Sequence, residues 1–542
     1  MEKRIRAAII SLFIPGGGQL YRKRFISGIF FLLLFLLSLY FLKVIWRGFY
    51  PFSFFILFSY LVFWSANIID AYKGPYYFKA PCDIYCPADI KPSIYISFLT
   101  EENTGEAFRR LLESIPFIGT LGRICTAPCE NPCSRSGIDE SIRIRYLKRF
   151  IFDFENENYP DSILIKDKGK KVAIIGGGVC GLTCAYNLRK KGHKVVVFER
   201  EKKAGGMLQL SIPDYRLPRW VVDKEIMFVK ETGVEVITGI EIGKDKSFNE
   251  LKEEYDAVFI ATGTHRCNKL GLGEENLDGV YYGLRFLKLV KEGKPPPIGK
   301  EIIVIGGGDV GIDVSRTAIR LGSRVKLISL EKREEMPANI KKIKKALEEG
   351  AIIKNCWGVS EILGYENVDG VKFKFCSSVF DGEGIFNPTF DESILEGESC
   401  DTLIICAGQL PELNFLPGDI IRNGGIIVDR ALRTPIPGIF AGGDVISPSS
   451  CVDAIRDGKN AAQSIDLYLR GFRYRLDRLL SFTEYPIPNY PVERALDEKE
   501  ILSIPIKGNT KNFEEIENEC IFKDCILEAK RCLKCPLRFG NF

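Results

Sequence analysis

Near its C-terminus the chain reads EAKRCLKC (528–535), which sets Cys532 and Cys535 in a C-x-x-C spacing. Two thiolates cannot enclose a metal cluster, which takes about four, so further ligands must come from distant sequence. Two stretches qualify. APCDIYCPADI supplies Cys82 and Cys86, the second followed by Pro87, and GRICTAPCENPCSRSG supplies Cys125, Cys129 and Cys133. Closely spaced sulfur donors suit iron-sulfur clusters, with tetrahedral thiolate zinc as the rival chemistry. Cys180 and Cys184 stand four apart and share a helix face, while Cys267, Cys356, Cys376, Cys400, Cys406 and Cys451 are isolated; these read as small packing residues. The full set of 17 cysteines in 542 residues is odd and unevenly spread, which points to reduced thiols and metal ligands rather than a disulfide framework. Only 2 histidines argue against acid/base catalysis by histidine and histidine-rich metal sites. His193 reads as a solvated turn residue, and His265 as a structural residue, with cofactor or substrate contact as its alternative.

The other chemistry-bearing pattern is a glycine triplet, and it occurs twice. KKVAIIGGGVCGLTCAYNLRKKGHKVVVFERE sets Gly176, Gly178 and Gly181 between an apolar β-branched run and a helical stretch, with Glu199 closing the following strand. In a strand-turn-helix-strand unit the first glycine permits the tight turn and the second lets backbone approach a pyrophosphate. The third allows close helix packing, and the acid meets a ribose hydroxyl. EIIVIGGGDVGIDVSRTAIRLGSRVKLISLE repeats the pattern with Gly306, Gly308, Gly311 and Glu331. A lone triplet is weak, but the complete unit around each predicts two dinucleotide sites; a merely structural turn is the bland alternative. The elements that must position these residues are those of an α/β fold with two Rossmann-like domains, and 542 residues are enough for two or three domains. A net charge of +5 without a long basic run argues against a nucleic-acid partner.

The first eighty residues differ in character. FISGIFFLLLFLLSLYFLKVIW (25–46) and PFSFFILFSYLVFWSANII (51–69) each approach the roughly 20 apolar residues that cross a bilayer as a helix. They predict a transmembrane hairpin anchor over 1–78 with lipid contact through residues 25–69; a buried helical pair is the alternative. Lys3, Arg4, Arg6, Arg22, Lys23 and Arg24 before the first span put both ends of the hairpin on the cytoplasmic side, which implies a multi-pass protein of the cell membrane. The PGGGQLY stretch resembles the opening of small two-helix membrane modules of the TM2 type.

The motifs ATG (261–263), CDTLIICAG (400–408) and IFAGGDV (439–445), in this order around the glycine turns, resemble two-dinucleotide flavoproteins related to the disulfide reductases. AGGMLQLSIPDYRLP (204–218) and EKREEMPA (331–338) narrow the resemblance to the glutamate synthase small-subunit type. The N-terminal half of dihydropyrimidine dehydrogenase and the large subunit of ferredoxin:NADP transhydrogenases are also similar. The resemblance covers roughly residues 80 to 542. It implies FAD at the first site, held by Gly176, Gly178, Gly181, Glu199, Gly205, Gly206, Met207, Arg216, Thr262, Gly263, Gly443 and Asp444. NAD(P)H would occupy the second, at Gly306, Gly308, Gly311 and Glu331. It also implies a helical iron-sulfur domain (79–168), an FAD domain (169–280 and 400–475) interrupted by an NAD(P)H domain (281–399), and a C-terminal arm (476–542) that returns to the iron-sulfur domain. NADPH-using relatives carry a pair of arginines where this chain has Leu330 and Glu331; an acid there repels a 2'-phosphate, which favours NADH, although Lys332 and Arg333 stand nearby. AGGMLQLSIP holds no cysteine pair beside the flavin, so thiol reduction is disfavoured.

In that family an EAxRCLxC run directly precedes the C-x-x-x-C-P element; here YKGPYYFK precedes Cys82 and the run stands at the other end of the chain. The resemblance then implies that Cys532, Cys535, Cys82 and Cys133 hold one [4Fe-4S] cluster, while Cys86, Cys125 and Cys129 contribute to a second. The fourth ligand of the second is open: Leu121 lies where many relatives have cysteine and Lys148 where others have Gln or Glu, leaving Glu130, Cys520, Cys525 or water. The expected activity is a membrane-anchored NAD(P)H:acceptor oxidoreductase that passes hydride to FAD and single electrons through one or two clusters to a protein partner or membrane acceptor. The alternatives are an electron-input subunit of a glutamate synthase or transhydrogenase complex, and a non-catalytic flavin-binding membrane scaffold.

Overall fold

The runs KVAII, KVVVFE, EVIT, AVFI and IFA become one parallel sheet in the computed structural model. Its order is Ile439–Ala441, Ala257–Ile260, Lys171–Ile175, Lys194–Glu199, Glu235–Thr238. Lys171–Ile175 and Ala257–Ile260 are buried along nearly their whole length, as expected for strands covered on both faces. The register sets Ile175 beside Phe198 and Ile260, so the first glycine turn leaves the sheet at its carboxyl edge. A second parallel sheet repeats the design in the order Val280–Tyr282, Thr402–Ile405, Glu301–Ile305, Arg324–Ser329, Ile352–Asn355. Between Ile352–Asn355 and Thr402–Ile405 the chain makes a three-stranded antiparallel sheet (Trp357–Gly364, Val368–Phe380, Phe386–Ser399). The strand Thr402–Ile405, grouped with the flavin half on sequence, pairs instead with Glu301–Ile305, Ile405 opposite Ile305. A short apolar run such as TLII fits a central position in either sheet, and periodicity does not distinguish them.

The structure describes residues 80–159, 169–471, 512–517 and 521–535 together with a few isolated positions. It divides into two compact units, Met1–Ala80 with Lys534–Phe542, and Pro81–Leu533. Within the larger unit, the helices Pro92–Thr100, Thr104–Ser114, Ile118–Ile124 and Ile144–Glu155 form the helical layer that carries the clustered cysteines. Thr104–Ser114 is capped by Asn103, whose side chain accepts the Glu106 N–H, and buries Ala107, Phe108, Leu111 and Leu112 on one face. Gly122 lets Ile118–Ile124 lie against Ile144–Glu155, since a Cβ there would fall 2.6 Å from Arg149 Cα. The fully buried Glu225, on the helix Arg219–Glu231, ties this layer to the first sheet: its carboxylate accepts from Gly119 N–H at 2.6 Å and from Thr120 Oγ1 at 2.5 Å.

The C-terminal arm returns to this layer. The helix Phe522–Lys530 packs against Pro92–Thr100 and Ile144–Glu155, with Phe522 5.7 Å from the Phe150 ring. Ahead of it, Glu515 and Glu517 receive Arg123 at 2.8 Å and Arg145 at 3.0 Å.

Two sequence expectations are corrected. Among the described residues no helix is long and apolar enough to cross a membrane. The longest described helix, Cys451–Leu469, carries Asp453, Arg456, Asp457, Lys459 and Asp466, charges that hydrocarbon does not tolerate. The multi-pass membrane location is therefore withdrawn. The spans of the expected hairpin, 25–46 and 51–69, lie outside the described residues apart from isolated positions. His193, expected in solvent, is 4% exposed: Nε2 lies 2.9 Å from Asp466 Oδ1, and Nδ1 accepts the Lys170 N–H at 3.3 Å. Its partner lies 273 residues away, so no local pattern reveals it.

Candidate functional site

The first glycine turn opens onto a cavity of about 640 Å³, whose walls include Gly176, Gly178, Glu199, Gly205, Gly206, Met207, Thr262, Gly263, Gly443 and Asp444. Gly176 has φ +105°, and a Cβ there would fall 2.4 Å from Ala261 O; no other residue fits. Gly181 seats the following helix, Val179–Lys190, against the turn, a Cβ falling 2.1 Å from Gly176 O. Gly178, by contrast, meets nothing closer than Gly206 Cα at 4.0 Å, leaving room for a ligand rather than for protein. The Glu199 carboxylate accepts from Gly177 N–H and Glu201 N–H, both at 2.8 Å, and burial raises its pKa. Asp444 accepts the Ser449 N–H at 3.0 Å and is likewise raised by burial. Thr262 Oγ1, in the cavity wall, is buried with no hydrogen-bond partner. A turn shaped for pyrophosphate, an acid beyond it and an orphaned hydroxyl fit a bound dinucleotide flavin.

Arg216 does not line this cavity; it pairs with Asp313 on the helix Asp309–Arg320 that follows the second glycine turn. The cavity also takes in residues read on sequence as structural. His265 lines it, with its pKa lowered to about 4 by burial and by Arg200, so the imidazole is neutral. Cys451, first residue of its helix, lines it too. Their signal was only proximity to the ATG and GGD motifs.

The second turn has the same construction. Gly306 has φ +121° with Cys406 O 2.4 Å from a would-be Cβ, and Gly308 faces open space. Glu331 accepts from Ser329 Oγ at 2.5 Å, and its Oε2 would lie 2.8 Å from a Cβ on Gly307, so the acid stands over the turn. Arg333 is turned to Asn355 Oδ1 at 2.9 Å and Ile353 O at 3.1 Å, and Lys332 is 4.0 Å from Glu335.

The cysteines gather into two neighbouring sets. Burial, then Asp83, Cys532, Cys133 and Cys129, raises the Cys82 thiol pKa, so residues 450 positions apart in sequence share one electrostatic neighbourhood. Cys86 and Cys129 are raised chiefly by burial and opposed by Lys148, with Cys125 beside both. Tyr95, fully buried, feels Cys129, Cys86, Cys82 and Cys125 and so neighbours both sets. Cys451 feels Cys125 and Lys148 while lining the cavity, so Cys125 lies on the cavity's side of these cysteines. Cys535 belongs to the other compact unit. Among the described residues Cys525 is disulfide-bonded and the other cysteines form no disulfide. Cys520 lies outside the described residues. The neighbouring acids are occupied elsewhere: Asp83 accepts from Ser93 N–H and Oγ, and Glu130 from Arg145 N–H at 2.9 Å. The donor set is thus sulfur. Among the described residues no group of three or more His, Cys, Asp or Glu could hold a single metal ion. Thiolate sulfur is the donor that iron-sulfur clusters take.

Arg531 holds Cys532 in place. Its guanidinium, fully buried, donates to Glu528 at 2.8 and 2.7 Å, to Asp139 Oδ1 at 2.8 Å and to Glu140 O at 2.7 Å. Glu528 in turn accepts the Arg143 N–H at 2.9 Å.

Residues 170–458 match the pyridine nucleotide-disulphide oxidoreductase family, and residues 71–159 match dihydropyrimidine dehydrogenase domain II, 4Fe-4S cluster. The chain belongs to the pyridine nucleotide-disulphide oxidoreductase family. It is 33% identical over 501 residues to the beta subunit of the NADP(+)-dependent formate dehydrogenase of Moorella thermoacetica, covering 84% of this chain and 70% of that one. It is 32% identical over 416 residues to the small chain of the NADPH glutamate synthase of Escherichia coli, covering 71% and 87%. Among solved structures, FprA of Mycobacterium tuberculosis shares the fold, with a TM-score of 0.50 at 15% identity over 58% of this chain and 90% of that one. The chain is accordingly an oxidoreductase that uses FAD and NAD(P)H and carries a 4Fe-4S domain, related to formate dehydrogenase beta and glutamate synthase small subunits.

Proposed function

We propose that the chain is an electron-input subunit that takes reducing equivalents from NADH and delivers single electrons to a protein partner. When bound, FAD accepts a hydride from the nicotinamide and the clusters carry single electrons onward. The chain's own part is to orient and to separate. Gly306 and Gly308 open the second turn to a pyrophosphate, and Glu331 presents a carboxylate where a free ribose hydroxyl gains a bond and a 2'-phosphate is repelled. Both coenzymes are represented by name among similar proteins, so the coenzyme choice rests on Glu331. At the first site the neutral His265 adds no fixed charge to the cavity wall, and its lowered pKa keeps it so at physiological pH.

One observation carries the order of the centres: Cys451 lies both on the flavin cavity and beside Cys125. It supports an inner set at Cys86, Cys125 and Cys129 next to the flavin and an outer set at Cys82, Cys133 and Cys532. The half-buried Cys82 and Cys133 sit closer to solvent than the buried Cys86, Cys125 and Cys129. The partner would therefore dock near Cys82, where Tyr85 is 41% exposed.

The test is anaerobic purification followed by stepwise addition of NADH or NADPH, reading flavin absorbance and paramagnetic resonance together. Bleaching of flavin followed by a reduced-cluster signal, at lower NADH than NADPH, is the expected result. Flavin that bleaches while iron centres remain oxidised would overturn the relay, and equal titration by both coenzymes would overturn the role given to Glu331.

A further inference from the structure

One residue joins the second parallel sheet to the antiparallel sheet. The strand Ile352–Asn355 passes into Trp357–Gly364 through Cys356 alone, and Cys356 adopts φ +66°, a left-handed backbone that residues with a Cβ seldom take. Its N–H donates to Glu331 O at 3.3 Å, and Asn355 Nδ2 donates to the same oxygen at 3.0 Å. The hinge is thus bonded directly to the acid that stands over the second glycine turn. Across from it lies another cysteine. Trp357 pairs with Phe375 in the antiparallel ladder, so the next pair outward is Cys356 with Cys376, and the Cys376 N–H donates to Cys356 O at 2.8 Å. Opposed residues joined in this way stand about 5.5 Å apart at Cα with their side chains on one face, inside the ~4.4–6.8 Å that a disulfide spans. Both thiols are free; Cys356 is half-buried, whereas Cys376 is 2% exposed and donates from Sγ to Ser378 O at 3.4 Å. Burial and then the neighbouring Cys356 raise the Cys376 pKa, and Glu331 adds to the rise.

We propose that Cys356 and Cys376 form a reversible disulfide that weakens nicotinamide nucleotide binding through Glu331. This rests on the reading of Glu331 as the acid that meets the coenzyme ribose. The oxidant is a small disulfide, with glutathione disulfide as the probe. The more accessible Cys356 thiolate attacks one sulfur of that bond, forming a mixed disulfide and expelling one thiolate; the Cys376 thiolate then attacks the Cys356 sulfur and expels the second. The protein gives up two electrons and two protons, and the small disulfide becomes two thiols. The new bond draws Cys356 toward Cys376 and turns its N–H from Glu331 O, so the acid loses one of the donors that fix it over the turn.

The experiment treats the full-length, FAD-loaded protein, purified anaerobically, with glutathione disulfide and then alkylates the remaining thiols. Peptide mass spectrometry and NADH kinetics with an artificial acceptor are read on the same samples. Wild type is expected to yield a linked Cys356–Cys376 peptide and a KM for NADH raised about threefold to tenfold at nearly constant kcat, the worth of one hydrogen bond. Dithiothreitol should reverse both changes. Cys356→Ser should give no linked peptide and a KM indifferent to the treatment, and Cys376→Ser should stop at the mixed disulfide on Cys356. Wild type in which both cysteines are alkylated, or in which Cys356 carries only glutathione, would overturn the disulfide, and this result stands even if a variant does not fold. A linked peptide without a change in KM would overturn the coupling to the coenzyme. Glu331→Gln then separates the causes: a shifted NADPH-to-NADH preference leaves the reading of Glu331 intact, and an unshifted one overturns that reading as well.

Discussion

Replacing Arg531 by Met should release the C-terminal arm and with it one cluster. The side chains of Arg531 and Glu528 are both 0% exposed and lie 2.7 Å apart. Removing the cation strands the Glu528 carboxylate in the interior, a loss of roughly 3–5 kcal/mol for a broken buried pair. Each ~1.4 kcal/mol is tenfold, so the ratio of docked to undocked arm falls by a hundredfold to a few thousandfold. Cys532 follows Arg531 directly, so an undocked arm withdraws a sulfur from Cys82 and Cys133. The assay is iron and sulfide per chain, with limited proteolysis to report on the arm; iron is expected to fall by about half while FAD stays bound. The double variant Arg531→Met/Glu528→Gln keeps an acceptor for the Arg143 N–H but removes the stranded charge, and should recover part of the iron and most of the protease resistance. Full iron content and a protected arm in Arg531→Met alone would refute the reasoning.

Gly176→Ala should cost the protein its flavin, because the new methyl would sit 2.4 Å from Ala261 O, while Gly308→Ala meets no protein atom and should fold normally yet raise the KM for nicotinamide nucleotide roughly tenfold; flavin content and steady-state kinetics separate the two. Glu331→Gln should shift the NADPH-to-NADH ratio of kcat/KM toward NADPH by about fivefold or more, the ~1 kcal/mol expected when one like charge is removed at about 4 Å. Burial pushes Glu225 up to about 8. A carboxyl raised in the folded state stabilises fully below its unfolded pKa of about 4.3, and that contribution is lost as pH rises through about 8, by at most ~1.4 kcal/mol per unit. The urea midpoint should therefore fall between pH 5 and 8 in the wild type and change less in Glu225→Gln; parallel slopes would rule Glu225 out.

Much of the chemistry was legible in the sequence because it depends on local geometry. The glycine triplets and the acids that follow them act within one strand-turn-helix unit, where backbone sterics set the shape whatever surrounds them, and Gly176 and Gly306 adopt the positive φ that their motifs imply. Closely spaced cysteines likewise stood out in the sequence as candidate ligands. Tertiary packing alone decided which cysteines meet. The neighbourhood of Cys82 and Cys532, the placing of TLII in the second sheet, the Asp466 partner of His193 and the approach of Lys148 to Cys86 and Cys129 all join residues remote in sequence. Their proximity follows from which apolar faces bury against one another. That is a property of the whole core, and no short window of residues contains it.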